Sequence, residues 1–502
     1  MDADFLSRLA LGFQTALSLE NIGLAFLGCL LGTLAGVLPG VGSIATITIL
    51  LPLTFGLDPV GGLIMLAGIY YGAQYGGSTT AVLVNIPGEA SSVVTTLDGH
   101  QMARQGRAGK ALGIAAIASF VAGCVSTLLI ATLAAPLTAA ALLFGPKENF
   151  ALMLMGLTLV VVLARGSIAK AAAMMLLGVI LSAVGIDLQT GEPRMTFGTM
   201  MLADGIDVAV LAIGVFGFSE VLRSLELPTM RHLVKTDLGS LLPDRADLAR
   251  STGAIGRGTL VGSVLGVLPG AGNLLGSFAS YALEKRISKT PERFGKGAIE
   301  GVAGPEAANN AGAQMSFIPL LMLGFPANAV MALMAGAMMI QGIVPGPQVI
   351  TRDPALFWGL IASMWIGNLI LLIINLPLVG VWVKLLNVPY RLLFPAVVLF
   401  SCLGLYSVSN SATPVVFAAA FAIAGYVLMK LDFEMTPLIL GFVLGPLIED
   451  NFRRAMIIAR GDLTTFVTTP ISATLLLIAM IFLVLGALPA IQRRREKLPV
   501  DE

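Results

Sequence analysis

A short elbow occurs twice in this chain, and it restricts the fold more than any other feature. It reads Val37-Leu38-Pro39-Gly40-Val41-Gly42 and returns as Val267-Leu268-Pro269-Gly270-Ala271-Gly272. Both copies sit inside long apolar runs. Proline removes a backbone donor and clashes with the preceding turn, and glycine lowers helix propensity further. In hydrocarbon the freed backbone groups have no water to turn to. Such an elbow is stable where protein surrounds it or where it lines a wet cavity, as in the broken helices that form solute sites in transporters.

Apolar runs recur from near residue 22 to near residue 488, and only 12% of residues are charged. Globular proteins carry about 25%. The expectation is an all-α polytopic membrane protein of about 12–14 membrane segments, arranged as two repeats with broken or re-entrant helices. An inverted relation between the repeats is expected, although the segment count does not fix its parity. The formal charge of +1 gives no field for nucleic acid. Cys29, Cys124 and Cys402 lie in apolar runs and read as small core residues. His100 and His232 are far apart, and no HExxH, CxxC or GxSxG pattern stands out. Neither an enzyme nor a cofactor is expected, and no metal apart from Na⁺ as a candidate coupling ion.

Met1-Asp2-Ala3-Asp4 is acidic where a secretory signal would be basic. Phe5, Leu6, Leu9, Phe13 and Leu17 recur near helical spacing, which predicts an amphipathic helix over 4–18, on the membrane surface and in contact with lipid. The expected divisions are this helix (1–20), a first transmembrane repeat (21–222), a cytoplasmic linker (223–256), a second repeat (257–490) and a basic cytoplasmic tail (491–502). Loops 98–110, 223–257 and 284–296 and the tail are rich in Lys and Arg, which places all four in the cytoplasm. Too few residues separate the second and third loops for two crossings. A hairpin turning at Leu268-Pro269-Gly270 keeps both loops inside, with arms of about 11 residues, near half a bilayer at 1.5 Å per residue.

Shifting the first elbow by 230 residues superposes Gly28, Gly32, Gly36 and Gly40 on Gly258, Gly262, Gly266 and Gly270. Spacing of four puts them on one helix face, where another backbone can approach closely. A second break follows each elbow. Asn85-Ile86-Pro87-Gly88 comes after Tyr70 through Thr80, and Gly324-Phe325-Pro326-Ala327-Asn328 comes after Gly304 through Asn310.

These breaks carry the candidate chemistry. Half-helices starting at Gly42-Ser43 and Gly272-Asn273 would present unpaired N–H groups and a positive dipole end to an anion. Ser43, Thr46 and Asn273 can add hydrogen bonds, and Ser43 and Asn273 equally suit plain helix caps. Asn85, Pro87 and Gly88, with Pro326, Ala327 and Asn328, can offer carbonyls to Na⁺ or N–H groups to a carboxylate. An ordinary surface loop also fits the first break, because Glu89 and Asp98 follow it. Glu306 beside Asn309 and Asn310 is a carboxyl group in a small-residue segment. In the membrane such a charge costs at least about 2.5–3.5 kcal/mol and usually serves an ion, a proton or a structural pair. Tyr75, Ser78 and Thr79 can line a polar cavity or bond neighbouring helices. Asp204 and Asp207 read as helix caps or interface residues at the entrance of a span.

The stretches Gly36 through Gly42, Leu51 through Phe55, Gly68 through Gly72, Gly76-Gly77-Ser78 and Asn85 through Gly88 resemble the large membrane subunit of the tripartite tricarboxylate transporters, the TctA family. So do Asp98-Gly99 with Met102-Ala103-Arg104, Phe294 through Gly297 and Pro305 through Asn310. The resemblance implies a bacterial inner-membrane permease driven by an ion gradient. It implies two partners, a small four-helix membrane subunit (TctB-like) and a periplasmic solute-binding protein (TctC-like) that delivers a carboxylate. The expected substrate is a tricarboxylate such as citrate, or a dicarboxylate. Phe325, Ala327 and Asn328 depart from the Gly-Ile-Pro-Gly-Ser-like break expected of the family, which points away from citrate.

Overall fold

Each elbow interrupts the helix in which it sits. The computed structural model describes residues 3–38, 42–164, 167–187, 189–226, 240–270, 272–385 and 393–487. In it Leu19–Val37 ends before the first elbow and Gly42–Thr54 begins after it. Arg245–Gly266 and Gly272–Ile287 flank the second in the same way. Pro39, Gly40, Val41, Ala271, His232 and the 491–502 tail lie outside the described residues.

The chain is an all-α polytopic membrane protein. Among the described residues, five helices are long and apolar enough to cross a bilayer: Leu19–Val37, Ala108–Ala141, Pro146–Leu163, Pro354–Asn375 and Thr413–Lys430. Shorter apolar helices, Gly42–Thr54, Ile168–Ser182, Ala329–Ile340 and Pro470–Gly486, accompany them. The described strands form one two-residue ladder, Gly185–Ile186 against Pro193–Arg194.

Both glycine faces are used for backbone packing. A Cβ added to Gly28, Gly32 or Gly36 would lie 2.2, 2.2 or 2.3 Å from the carbonyl oxygens of Met65, Ile69 and Ala73 on Pro59–Val84. A Cβ on Gly258 or Gly262 would lie 2.2 Å from the oxygens of Gly304 and Ala308 on Glu300–Met315, and one on Gly266 2.4 Å from the Gly312 Cα. In each half the helix before the elbow therefore lies against the helix that carries the candidate polar residues.

The second elbow forms a helical hairpin, with longer arms than the sequence predicts. The arms hold 22 and 16 residues, not about 11. The extra length comes in part from charged segments read as loops, since 245–256 and 284–287 continue the helices. Asp244 starts the first arm, accepting the Asp247 N–H at 2.8 Å, while Lys110 binds both carboxylates at 2.6 and 2.8 Å. The Arg257 guanidinium donates to both Glu284 oxygens at 2.7 Å, pinning the arms at their charged end. Gly272 lies against Leu265 and Gly276 against Gly262, so the arms are antiparallel and both basic segments emerge at one end.

The N-terminal helix, Ala3–Ala16, docks on Pro354–Asn375. Phe5 meets Trp358 edge-on at 6.0 Å, Phe13 stacks on Trp365 at 5.8 Å, and a Cβ on Gly12 would lie 2.4 Å from the Trp358 carbonyl oxygen. Phe5 and Phe13 of its apolar stripe thus meet aromatic protein surface, while Leu6 and Leu17 stay exposed. Asp98, read as part of a polar loop, is fully buried. Its Oδ1 accepts the N–H groups of Gly295, Gly297 and Ala298 at 2.8–2.9 Å, and its Oδ2 accepts the Tyr281 hydroxyl at 2.9 Å. A carboxylate from the first half thus organises the turn that leads into Glu300–Met315.

Candidate functional site

At the first elbow Gly42 adopts φ +61 and opens the Gly42–Thr54 helix. The Ser43 N–H donates to the Glu89 carboxylate. The helix start expected to receive an external anion therefore already holds one of the protein's own. The Thr46 hydroxyl bonds back to the Gly42 carbonyl at 2.8 Å, within the helix. Asn85 ends Pro59–Val84 in the left-handed region, and its side chain is exposed, outside the buried cluster. Pro87 is half-buried. Gly88 is wedged between helices: a Cβ there would lie 2.0 Å from the Gly36 oxygen and 2.6 Å from the Gly77 Cα.

The second copy is buried more deeply. Gly270, at φ +105, donates its N–H to the Ala327 carbonyl at 2.7 Å, which ties the second elbow to the second break. Pro269, Gly272, Pro326 and Ala327 are buried. Asn273 is half-buried and accepts the Leu274 N–H at 3.0 Å; Asn328 accepts the Met331 N–H at 3.0 Å. The Asn328 amide caps its helix, and the Asn273 amide bonds within the first turn of its own. Phe325 is buried with its ring beside Gly156.

Between the halves lies a polar centre. Glu306 is fully buried and accepts hydroxyls from Ser78, at 2.7 Å, and from Thr95. Among the described residues no Lys, Arg or His forms an ion pair with it, so neutral donors alone hold the carboxyl. Asn310 donates to Ser119 at 2.7 Å and to the Glu306 carbonyl at 3.1 Å. The Asn309 amide is fully buried, and neither its oxygen nor its nitrogen has a hydrogen-bond partner. Tyr75, Ser78, Thr79, Ser119 and Asn375 line a small cavity beside this centre. The structure thus brings Tyr75, Ser78, Thr79, Glu306 and Asn310 together, and leaves Asn85 apart.

Sequence reasoning missed Gln74, Glu89, Thr95, Ser119 and Asn375. Gln74 accepts the Ser91 hydroxyl at 2.8 Å, one turn before Ser78. Gln74, Glu89 and Thr95 do carry a signal, a polar side chain at helical spacing on a helix of small residues or in the polar run 89–96. That run reads equally well as a surface loop.

The tripartite tricarboxylate transporter TctA family model matches residues 22–440. The chain belongs to the TctA family. A protein of Agrobacterium vitis described as "Uncharacterized 52.8 kDa protein in TAR-I ttuC' 3'region" is 56% identical over 499 residues, 99% of both chains. A second from the same organism, "Uncharacterized protein in TAR-II ttuC' 3'region", is 60% identical over 241 residues, 48% of this chain and 100% of that protein. No solved structure matches. TctA proteins are subunits of transporters and do not form an enzyme family. This TctA chain is accordingly a multi-pass membrane subunit of a tripartite tricarboxylate transporter.

Proposed function

We propose that this TctA chain is the translocating subunit of a secondary-active importer of small organic carboxylates in the bacterial inner membrane. A periplasmic TctC-like protein delivers the anion, and a small TctB-like membrane subunit completes the assembly. The observation that carries the reading is the pairing of helix breaks around a buried carboxyl group with neutral partners. The second elbow is bonded to the second break, the first elbow is bonded to Glu89 just after the first break, and Glu306 lies between the halves. An intramembrane carboxyl of this kind serves a coupled ion more often than packing.

In this reading the substrate carboxylates meet the helix start at Gly272-Asn273, with the Pro326–Asn328 backbone beside it, and reach the start at Gly42-Ser43 only when the Glu89 carboxylate leaves it. Na⁺ or H⁺ binds at Glu306, Asn309 and Asn310. The two glycine-matched halves are structural repeats, one of which moves the site across the membrane.

Counterflow of labelled citrate and of a labelled dicarboxylate, in proteoliposomes containing all three subunits, tests this. Exchange in the native protein and its loss in correctly folded Pro269→Ala and Gly270→Ala variants are expected. Exchange that survives both substitutions would remove the second elbow from the site. Absence of exchange with any carboxylate would favour an uncoupled scaffold.

A further inference from the structure

The cavity beside Glu306 has a volume of about 10 Å³, room for a single water. Its polar wall is oxygen-rich. Tyr75, 4% exposed, points a hydroxyl with no hydrogen-bond partner into the protein interior, and Asn375, 9% exposed, holds a carbonyl oxygen with none. Buried polar groups left unpaired cost about 1–3 kcal/mol each, and an ordered water bonded to two to four such groups removes that cost. Ser119 and Thr79 supply further hydroxyls. Ser78 belongs to both environments, because it lines the cavity and donates its hydroxyl proton to Glu306 at 2.7 Å.

We propose that this cavity is a water site that passes protons through the Ser78 hydroxyl to Glu306, so that the ion coupled to carboxylate transport is H⁺. The inference rests on the permease reading and specifies its coupling ion. A proton arriving on the water bonds to the Ser78 oxygen while Ser78 releases its own hydroxyl proton to Glu306 Oε2. One proton leaves the water, one arrives at the carboxylate, and Ser78 ends with the single proton it began with. Tyr75 and Asn375 hold the water in line, as donor and acceptor respectively.

The geometry favours a proton over Na⁺. A sodium ion in the cavity would meet hydroxyls and one amide oxygen, while the carboxylate stays behind Ser78. Hard cations prefer direct carboxylate or carbonyl ligands. The other carboxyl groups on the elements packed around Glu306 are engaged. Asp98 is held by Tyr281 and three N–H groups, Glu284 by Arg257 and Glu89 by Ser43. Tyr71, Tyr75, Cys29 and Cys124 are neutral side chains.

Infrared difference spectroscopy on the purified full-length protein in nanodiscs tests the relay without any substrate. A protonated-carboxyl C=O band that titrates and disappears in Glu306→Gln is expected. The Tyr75→Phe variant deletes one oxygen that bonds nothing in the protein, so its fold is preserved. It should slow hydrogen–deuterium exchange of that band by about a hundredfold, the lower end of the usual contribution of a positioned proton-transfer group. Tyr71→Phe deletes another unpartnered hydroxyl, outside the cavity, and should leave exchange unchanged. A band unaffected by Glu306→Gln, equal exchange in the two tyrosine variants, or loss of the band on adding Na⁺ at constant pH would each overturn the proposal. Failure of carboxylate counterflow with the infrared pattern intact would overturn the permease reading and leave the relay standing.

Discussion

Replacing Gly262 with alanine should separate Arg245–Gly266 from Glu300–Met315. The new Cβ would lie 2.2 Å from the Ala308 carbonyl oxygen and 2.6 Å from its Cα. A carbon–oxygen contact needs about 3.2 Å, so the helices must part by roughly 1 Å. The obstacle is backbone, so no rotamer change relieves it. Overpacking of side chains costs about 1–3 kcal/mol, and a rigid obstacle puts Gly262→Ala at about 3 kcal/mol or more. Gly256 is the internal control, six residues earlier on the same helix with nothing within 4 Å of an added Cβ. There alanine should stabilise by about 0.5–1 kcal/mol, because glycine is a poor helix former. Equilibrium unfolding in mixed micelles, titrated with SDS, measures both variants. A difference below about 1 kcal/mol between them would refute the close-approach account of the glycine ladder.

Other substitutions probe the contacts that hold the site in place. Asp98→Ala strands the buried N–H groups of Gly297 and Ala298, and at about 1–3 kcal/mol for each unsatisfied group it should destabilise by at least about 2 kcal/mol in the same assay. Arg257→Ala leaves the Glu284 carboxylate buried without its partner, so it should destabilise more than the Arg257→Ala/Glu284→Gln double variant, as SDS midpoints would show. At the two-stranded ladder, the Gln189 N–H and then the Arg453 guanidinium hold Asp187 down from 3.8 to about 2. A lowered carboxylate pKa stabilises the fold above its unfolded value and loses that contribution as pH falls towards the folded one. Limited proteolysis of the 185–194 segment should therefore be unchanged from neutrality down to near 3.8 and accelerate from there towards about 2. Arg453→Ala should accelerate proteolysis already at neutral pH and shrink the further acceleration below 3.8.

The elbows and glycine ladders were legible because their cause is local: proline and glycine in apolar runs leave few foldable options. The greater burial of the second break was legible too, since Phe325 and Pro326 have apolar flanks on both sides while Asn85 precedes Glu89. What could not be read were identities that depend on long-range partners. Glu89 looks like a surface marker in sequence, yet its carboxylate fills the start of a helix 46 residues earlier. Asp98 looks like loop polarity, yet its acceptors serve a turn nearly 200 residues away. The hairpin arms were underestimated because Asp244, Arg257 and Glu284 look like solvated charge, whereas a capping carboxylate and a bidentate ion pair carry the helices through them. Asn375 and Ser119 carry no signal of their own. Only packing brings them to the cavity beside Ser78.

The central claim is that Glu306 couples carboxylate movement to an ion gradient. Its most direct test compares two activities of one variant, Glu306→Gln, in proteoliposomes carrying the complete three-subunit assembly. Exchange of labelled carboxylate across the membrane needs the substrate site alone, whereas accumulation against a concentration gradient needs the coupled ion as well. The account predicts that Glu306→Gln retains exchange and loses accumulation driven by an imposed pH gradient. Accumulation at the native level in Glu306→Gln, with exchange also intact, would contradict it.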